Sequence, residues 1–382
     1  MAIHAIRSRG LLLNEIAWVQ CCVFVCWVVC GFGSCESSVN DVKASFVFGD
    51  SLVDAGNNNY IFTLSKADMP PNGIDFNASG GLPSGRFTNG RTIPDILGQE
   101  IGQNVFAPPY MAPTTSGDVL LKAGVNYASG GAGILNETGR NFIGRISMDT
   151  QLNDFANTRE EIISMIGVQE AQDFLAEAIF SISIGSNDFL NNYLAIENLP
   201  ERELVSPEQF IQRLIDTFRV QLTRLYNLDA RKIVVANVGP IGCIPYQRDF
   251  NPLQGDGCVS RPNQMAMGFN THLKDLIVEL NANLSGAIFV YANVYDIVND
   301  IIVNYKSYGF DVADTACCGS IGRHKGIIPC GRRSNVCPEH SEYVFWDPYH
   351  PSEATNLIIA NRLLDGGPDI VSPMNVRSLA QV

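Results

Sequence analysis

Short strand-like runs separated by long amphipathic segments constrain this chain more than any other feature. Four runs stand out: Phe46–Phe48, Ala178–Ile184, Arg231–Gly239 and Ala287–Val294, with a short fifth at Gly124–Ser129. Apolar runs of this length, bounded by Gly, Asn, Asp or Ser, read as buried strands. The intervening segments carry the helical period instead. Ser206–Tyr226 is the clearest, with Ser206 suited to the N-cap, Pro207 to the first helical position and Gln209 to closing a capping box. Phe210, Leu214, Phe218 and Leu222 then form one apolar stripe. Thr92–Ile101, Met148–Gly167, Met265–Leu284 and a segment after His350 are read as further helices. Strands alternating with helices imply an α/β fold, with a mostly parallel sheet covered on both faces. No repeat, low-complexity stretch or linker divides the chain, so one domain is expected from about residue 36 to 382. Residues 366–382 are read as a frayed tail.

The first 35 residues read differently. Arg7 and Arg9 precede an apolar stretch from Ile16 to Val29, and the small residues Gly31, Gly33 and Ser34 follow. That pattern fits a secretory signal peptide. A membrane anchor is the rival reading, but the stretch falls short of the roughly 20 apolar residues a span needs. No later stretch is long and apolar enough to span. The net charge of −13 makes nucleic acid and anionic membrane surfaces poor partners.

Cysteine usage agrees with an oxidising compartment. Six of the eleven cysteines lie beyond the leader region: Cys243, Cys258, Cys317, Cys318, Cys330 and Cys337. An even set in a secreted chain suggests disulfides. Proximity favours Cys243 with Cys258, and the later four among themselves within a stapled excursion at 310–340. A zinc site using His324 and His340 is the alternative, but the paired short-gap spacing of zinc modules is missing, and no metal is expected. Asn77, Asn136 and Asn283 head N-x-S/T glycosylation triplets.

Chemistry-bearing residues gather where strands end. Phe46–Phe48 runs into Gly49-Asp50-Ser51, which places a hydroxyl at the edge where open α/β sheets bind ligands. A nucleophilic serine needs a base, a group to orient that base, and donors for an oxyanion. Of five histidines, His4 lies in the leader, His272 in a helix, and His324 and His340 in surface or loop positions of the cysteine-rich region. His350 ends Trp346-Asp347-Pro348-Tyr349-His350, so Asp347 could orient it as in a serine triad. The competing reading has Asp347 closing its own turn or capping the next helix. The turn Gly130-Gly131-Ala132-Gly133 offers backbone N–H groups, although no Lys-Ser/Thr follows as in a phosphate loop. Arg86 and Arg91 could bind an anion or anchor their loop by hydrogen bonds to carbonyls.

The ordered set Gly49-Asp50-Ser51-Leu52, Gly185-Ser186-Asn187-Asp188 and Asp347-Pro348-Tyr349-His350 resembles the GDSL family of SGNH hydrolases, and most closely the secreted plant GDSL esterase/lipases. The resemblance extends through Ser84–Arg91, Gly124–Ser129 and Val238–Cys243. It implies a flavodoxin-like three-layer α/β/α sandwich. It also implies Ser51 as nucleophile, His350 as general base, Asp347 as its orienting carboxylate, and an oxyanion hole from the N–H of Ser51, the N–H of Gly130 or Gly131, and the Asn187 amide. The implied enzyme is a cofactor-free esterase or lipase on small or lipid esters. It would be a monomer in the extracellular space, in the apoplast or cell wall. Transacylation of cutin-type esters and a catalytically silent binding protein are the alternatives.

Overall fold

The structure is a computed structural model that describes residues 42–195, 205–251 and 257–382. The expected leader, from Arg7 and Arg9 to the apolar stretch at 16–29, lies outside the described residues.

In chain order the elements are β1 (Ser45–Gly49), α1 (Ile93–Glu100), β2 (Gly124–Asn126), α2 (Met148–Ile166), α3 (Val168–Glu177), β3 (Ile179–Ser183), α4 (Pro207–Asn227) and β4 (Lys232–Ala236). Next come α5 (Ser260–Asn283), β5 (Ile288–Ala292), α6 (Val294–Val303), β6 (Val312–Ala316), β7 (Cys318–Gly319), β8 (Asn335–Val336) and β9 (Tyr343–Phe345). The chain closes with α7 (Glu353–Asp365), β10 (Val371–Ser372) and α8 (Val376–Gln381).

The central sheet runs β10-β5-β4-β3-β1-β2, and β1 to β5 all pair in parallel. The order of those five strands is the flavodoxin-like one. Because successive side chains alternate across a sheet, each strand feeds two cores. Phe46, Phe48, Phe180, Ile233, Val235 and Phe289 face α2, α4 and α5, meeting Phe155, Phe218 and Phe269. Ile179, Val234 and Val290 face the other way, towards Leu97 of α1, Ile301 of α6, Leu363 of α7 and Leu379 of α8. The result is three layers, helix–sheet–helix.

Helix α4 starts as its sequence predicts. Ser206 N–H donates to Gln209 Oε1 and Gln209 N–H donates back to Ser206 Oγ, closing the capping box. α5 begins earlier than Met265, at Ser260. Pro262 falls in its first turn, where a missing N–H costs no intrahelical bond.

The segment 366–382 is not a frayed tail. Val371 and Ser372 pair antiparallel with Ala292 and Tyr291, and Asn293 N–H donates to the Ile370 carbonyl. Asn375 then caps α8, whose Val376 and Leu379 are fully buried. The apolar spacing of Val376, Leu379 and Ala380 is what the helix-breaking Gly366-Gly367-Pro368 stretch masks in the sequence.

The six body cysteines form three disulfides: Cys243–Cys258, Cys317–Cys337 and Cys318–Cys330. The first is the expected local pair, and the other two lie among the later four. Within this excursion β7 pairs with β8, and β6 pairs with β9 just beyond it. Cys317 N–H donates to the Phe345 carbonyl and Cys318 N–H to the Trp346 carbonyl. The stapled excursion thereby fixes the strand that leads into Asp347.

Candidate active site

β1 ends at Gly49 because only glycine fits there. Its φ is +149°, and a Cβ would lie 2.1 Å from the Ser183 carbonyl oxygen. The buried Gln151 of α2 clamps this residue twice. Its Oε1 accepts from Gly49 N–H at 2.9 Å and its Nε2 donates to Gly49 O at 2.8 Å. Asp50 N–H continues onto the Ser183 carbonyl. Ser51 therefore emerges at the carboxyl edge of β1, between β2 and β3, where the strand order reverses. That reversal is the ligand-binding position of doubly wound sheets.

His350 arrives from the opposite end of the chain. Asp347 Oδ1 accepts from the N–H groups of Tyr349 and His350, both at 2.8 Å, which closes a tight turn. The same carboxylate meets His350 Nδ1 at 2.8 Å through each oxygen. Both readings of Asp347 thus hold together: it closes its own turn and it orients the imidazole. The following helix is capped by Ser352 instead, whose Oγ accepts from Thr355 N–H.

His350 Nε2 lies 2.7 Å from Ser51 Oγ, and Asp347 and His350 are 5% and 7% exposed. Phe87 packs beside the imidazole with ring centroids 5.2 Å apart. This Ser–His–Asp line, with Ser51 facing a cavity and the other two sheltered, is the arrangement in which an imidazole accepts a hydroxyl proton while a carboxylate holds its tautomer.

Around Ser51 the donors are partly sorted. Gly130 N–H donates to Asp54 Oδ2 at 3.0 Å, whereas Gly131 borders the cavity. The N–H groups of Ser51 and Gly131 have no acceptor among the described residues. Asn187 Nδ2 donates one hydrogen to the Ala132 carbonyl and its Oδ1 accepts from Asn191, which points the amide at the same space.

Three buried side chains brace this turn, of which only Asp188 stands out in the sequence, through its place in the Gly185–Asp188 cluster. Asp54 takes the N–H groups of Gly56, Asn57 and Gly130. Asp188 takes those of Ile134 and Leu135 and the Thr138 hydroxyl. Asn58 donates to the Gly130 carbonyl and accepts from Ser129 Oγ. Burial pushes Asp54 and Asp188 up to about 6, the hydrogen bonds offsetting part of the cost. Asp50 is pushed further, to about 7, by burial opposed by the Leu52 N–H, and its Oδ2 has no hydrogen-bond partner among the described residues. A polar residue three positions after a strand-end serine was the available signal for Asp54.

Other expected residues resolve as follows. Arg86 is buried and forms a two-pronged pair with Asp95, while Arg91 pairs with Glu353. Both anchor the 84–91 loop, chiefly to carboxylates rather than to carbonyls. His272 is exposed on α5. His324 sits in a loop as expected but is buried, because the Asp249 carboxylate gathers the N–H groups of His324 and Gly326 and folds that loop inward. His340 pairs with Asp75 at 2.7 Å. Asn77, Asn136 and Asn283 are all exposed.

A flavodoxin-like sandwich carrying a serine–imidazole–carboxylate line at its strand ends is the outline of an SGNH-type hydrolase. The family model for GDSL-like Lipase/Acylhydrolase matches residues 46–363. Among relatives, the chain is 56% identical over 342 residues to GDSL esterase/lipase At4g16230 of Arabidopsis thaliana, covering 89% of this chain and 92% of that one. It is 56% identical over 338 residues to GDSL esterase/lipase At2g23540 of the same plant, covering 88% and 87%. Across 97% of its length it is 42% identical to GDSL esterase/lipase 7, also from Arabidopsis thaliana, covering 98% of that relative. The chain belongs to the GDSL-like lipase/acylhydrolase family and is an enzyme of the carboxylic ester hydrolase class.

Proposed function

We propose that this protein hydrolyses acyl esters through an acyl-enzyme on Ser51. His350 takes the hydroxyl proton as Ser51 Oγ bonds to the ester carbonyl carbon. The negative charge moves to the carbonyl oxygen, which the N–H groups of Ser51 and Gly131 and the Asn187 amide receive. Gly131 is preferred over Gly130, whose N–H already serves Asp54. The tetrahedral adduct collapses, the C–O bond to the alcohol breaks, and His350 protonates the leaving oxygen. Water then repeats the sequence on the acyl-enzyme and frees the carboxylic acid and Ser51. Asp347 stabilises the imidazolium throughout.

The observation that carries this reading is the unbroken line from Ser51 Oγ through the imidazole to Asp347, at 2.7 and 2.8 Å. The same reading treats residues 1–35 as a signal peptide and 36–382 as one secreted, extracellular domain. It would be glycosylated at Asn77, Asn136 and Asn283, which are exposed as such sites must be. Three disulfides in the body favour the oxidising route. Each proposed catalytic group comes from one chain, so a monomer suffices, and among the described residues no helix is long and apolar enough to cross a membrane.

A fluorophosphonate probe tests the assignment on protein made through a secretory route. Wild type should be labelled at Ser51, and Ser51→Ala should take up no label and hydrolyse no ester. Labelling that persists in Ser51→Ala would overturn it.

A further inference from the structure

The cavity at Ser51 does not stop at the sheet edge. It encloses about 250 Å³ and continues inward between the sheet and the layer formed by α1, α6 and α7. Two features of the sequence make the space. On the sheet side, strands β3 and β4 are central, yet Ser181, Ser183 and Ala236 point small side chains into this layer and remain half-exposed to the cavity. Their neighbours along the same face, Ile179 and Val234, are bulky and buried. On the helix side all three helices start near the carboxyl edge of the sheet. Their lining residues then step inward by one turn: Ile93 to Leu97, Val294 to Val298, and Thr355 to Ile359 to Leu363.

The depth follows from helix geometry. Thr355 and Leu363 are eight residues apart, which at 1.5 Å per residue is about 12 Å along α7, and Ile359 and Leu363, 1% and 2% exposed, close the inner end. An extended alkyl chain advances about 1.3 Å per carbon, given its 1.5 Å single bonds, so about nine carbons is the most the channel takes. The wall is largely aliphatic, and the carboxyl groups of the cavity, Asp50 and Asp347, stand at its Ser51 end. Leu64 and Phe142 flank the entrance, and Phe62 and Ile143 beside them are exposed, so an apolar chain meets apolar surface on its way in.

Resting on the ester reading of Ser51, we infer that this channel is an acyl-chain subsite that selects linear, medium-chain acyl groups of up to about nine carbons. The acyl carbonyl sits at Ser51 while the tail lies over Ser181 and Ala236, and the depth set by Leu363 limits its length. The alcohol half of the ester stays outside.

The test uses a series of p-nitrophenyl esters, from acetate to palmitate, at concentrations below micelle formation. For wild type, kcat/KM should rise from acetate by up to about fourfold per added methylene, the ratio matching about 0.8 kcal/mol per buried CH₂. It should peak near the octanoate or decanoate and fall beyond. Ser181→Leu fills the channel and should cost at least tenfold on octanoate while acetate hydrolysis stays within about threefold. Val298→Phe fills it from the opposite wall and should do the same, so a folding failure of one variant leaves the other. Leu363→Ala should move the peak to longer chains. Equal wild-type rates from acetate to decanoate, or blocked variants that keep the octanoate preference, would overturn the channel. Acetate hydrolysis that is lost in Ser51→Ala would meanwhile keep the ester reading standing.

Discussion

On one face of the sheet Phe46 and Phe180 stack with centroids 5.1 Å apart, and Phe155 closes edge-on over Phe48 and Phe180. On the other face strands β3 and β4 offer Ser181, Ser183 and Ala236, with a cavity beneath the helices. The strands are shared, so the difference lies in side-chain volume at alternate positions. An aromatic-filled face secures the position of the strand ends. A thinned face gives up contacts that would each add stability and leaves room for something else to bury apolar surface there. Stability and chemistry are thus divided between opposite sides of a few residues.

That division can be broken at either side. Phe180→Ala opens a hole in the filled face and should cost about 3–5 kcal/mol of stability, seen as a lowered denaturation midpoint. Activity per folded molecule should change little. A large kcat loss with stability intact would show that the faces are not separate. Asn187→Ala acts at the cavity instead. Losing one oxyanion donor should lower kcat about 10²- to 10³-fold, with a small stability change read in the same melts. An unchanged kcat would remove Asn187 from the oxyanion hole.

A third test, read against pH, concerns the buried carboxyl beside the nucleophile. Asp50 holds its proton up to about pH 7, against 3.8 for an ordinary aspartate. Between those values the folded chain binds a proton that the unfolded chain has released, so stability falls as pH rises through that window. Asp50→Asn has no proton to lose and should flatten the decline by about 4 kcal/mol between pH 4 and pH 8. Asp54 and Asp188, raised in the same direction, leave a residual slope ending near pH 6. Denaturant titrations at several pH values measure it, and an identical slope in the variant would mean that Asp50 is ionised throughout.

Much of this was legible in the residues. Ser206, Pro207 and Gln209 announce α4 because capping is local chemistry, and the runs at Phe46 and Ile179 announce strands because they are buried on both sides. Ser51 and His350 stood out as groups whose chemistry needs each other. What escaped is what depends on distant partners. β10 is two residues long and exists only because β5 offers an edge to Val371. Helix α6 follows β5 with a single residue between them, so its apolar positions merge with those of the strand. The cavity was hidden because Ser181 and Ser183 look like ordinary members of an apolar run until the helix layer above them is known. Asp54 and Asp188 stand in polar segments that follow strands, and their braces reach 76 and 50–54 positions along the chain.

Ser51 and His350 touch across 299 positions of sequence. A ribosome that has delivered the nucleophile has still to deliver nearly the whole sandwich before the base exists. No nascent fragment ending short of His350 holds both groups, however well its first strands have paired. The proposed enzyme is therefore silent through most of its own synthesis, and the membranes it would pass on its way out of the cell meet it, until then, without its chemistry.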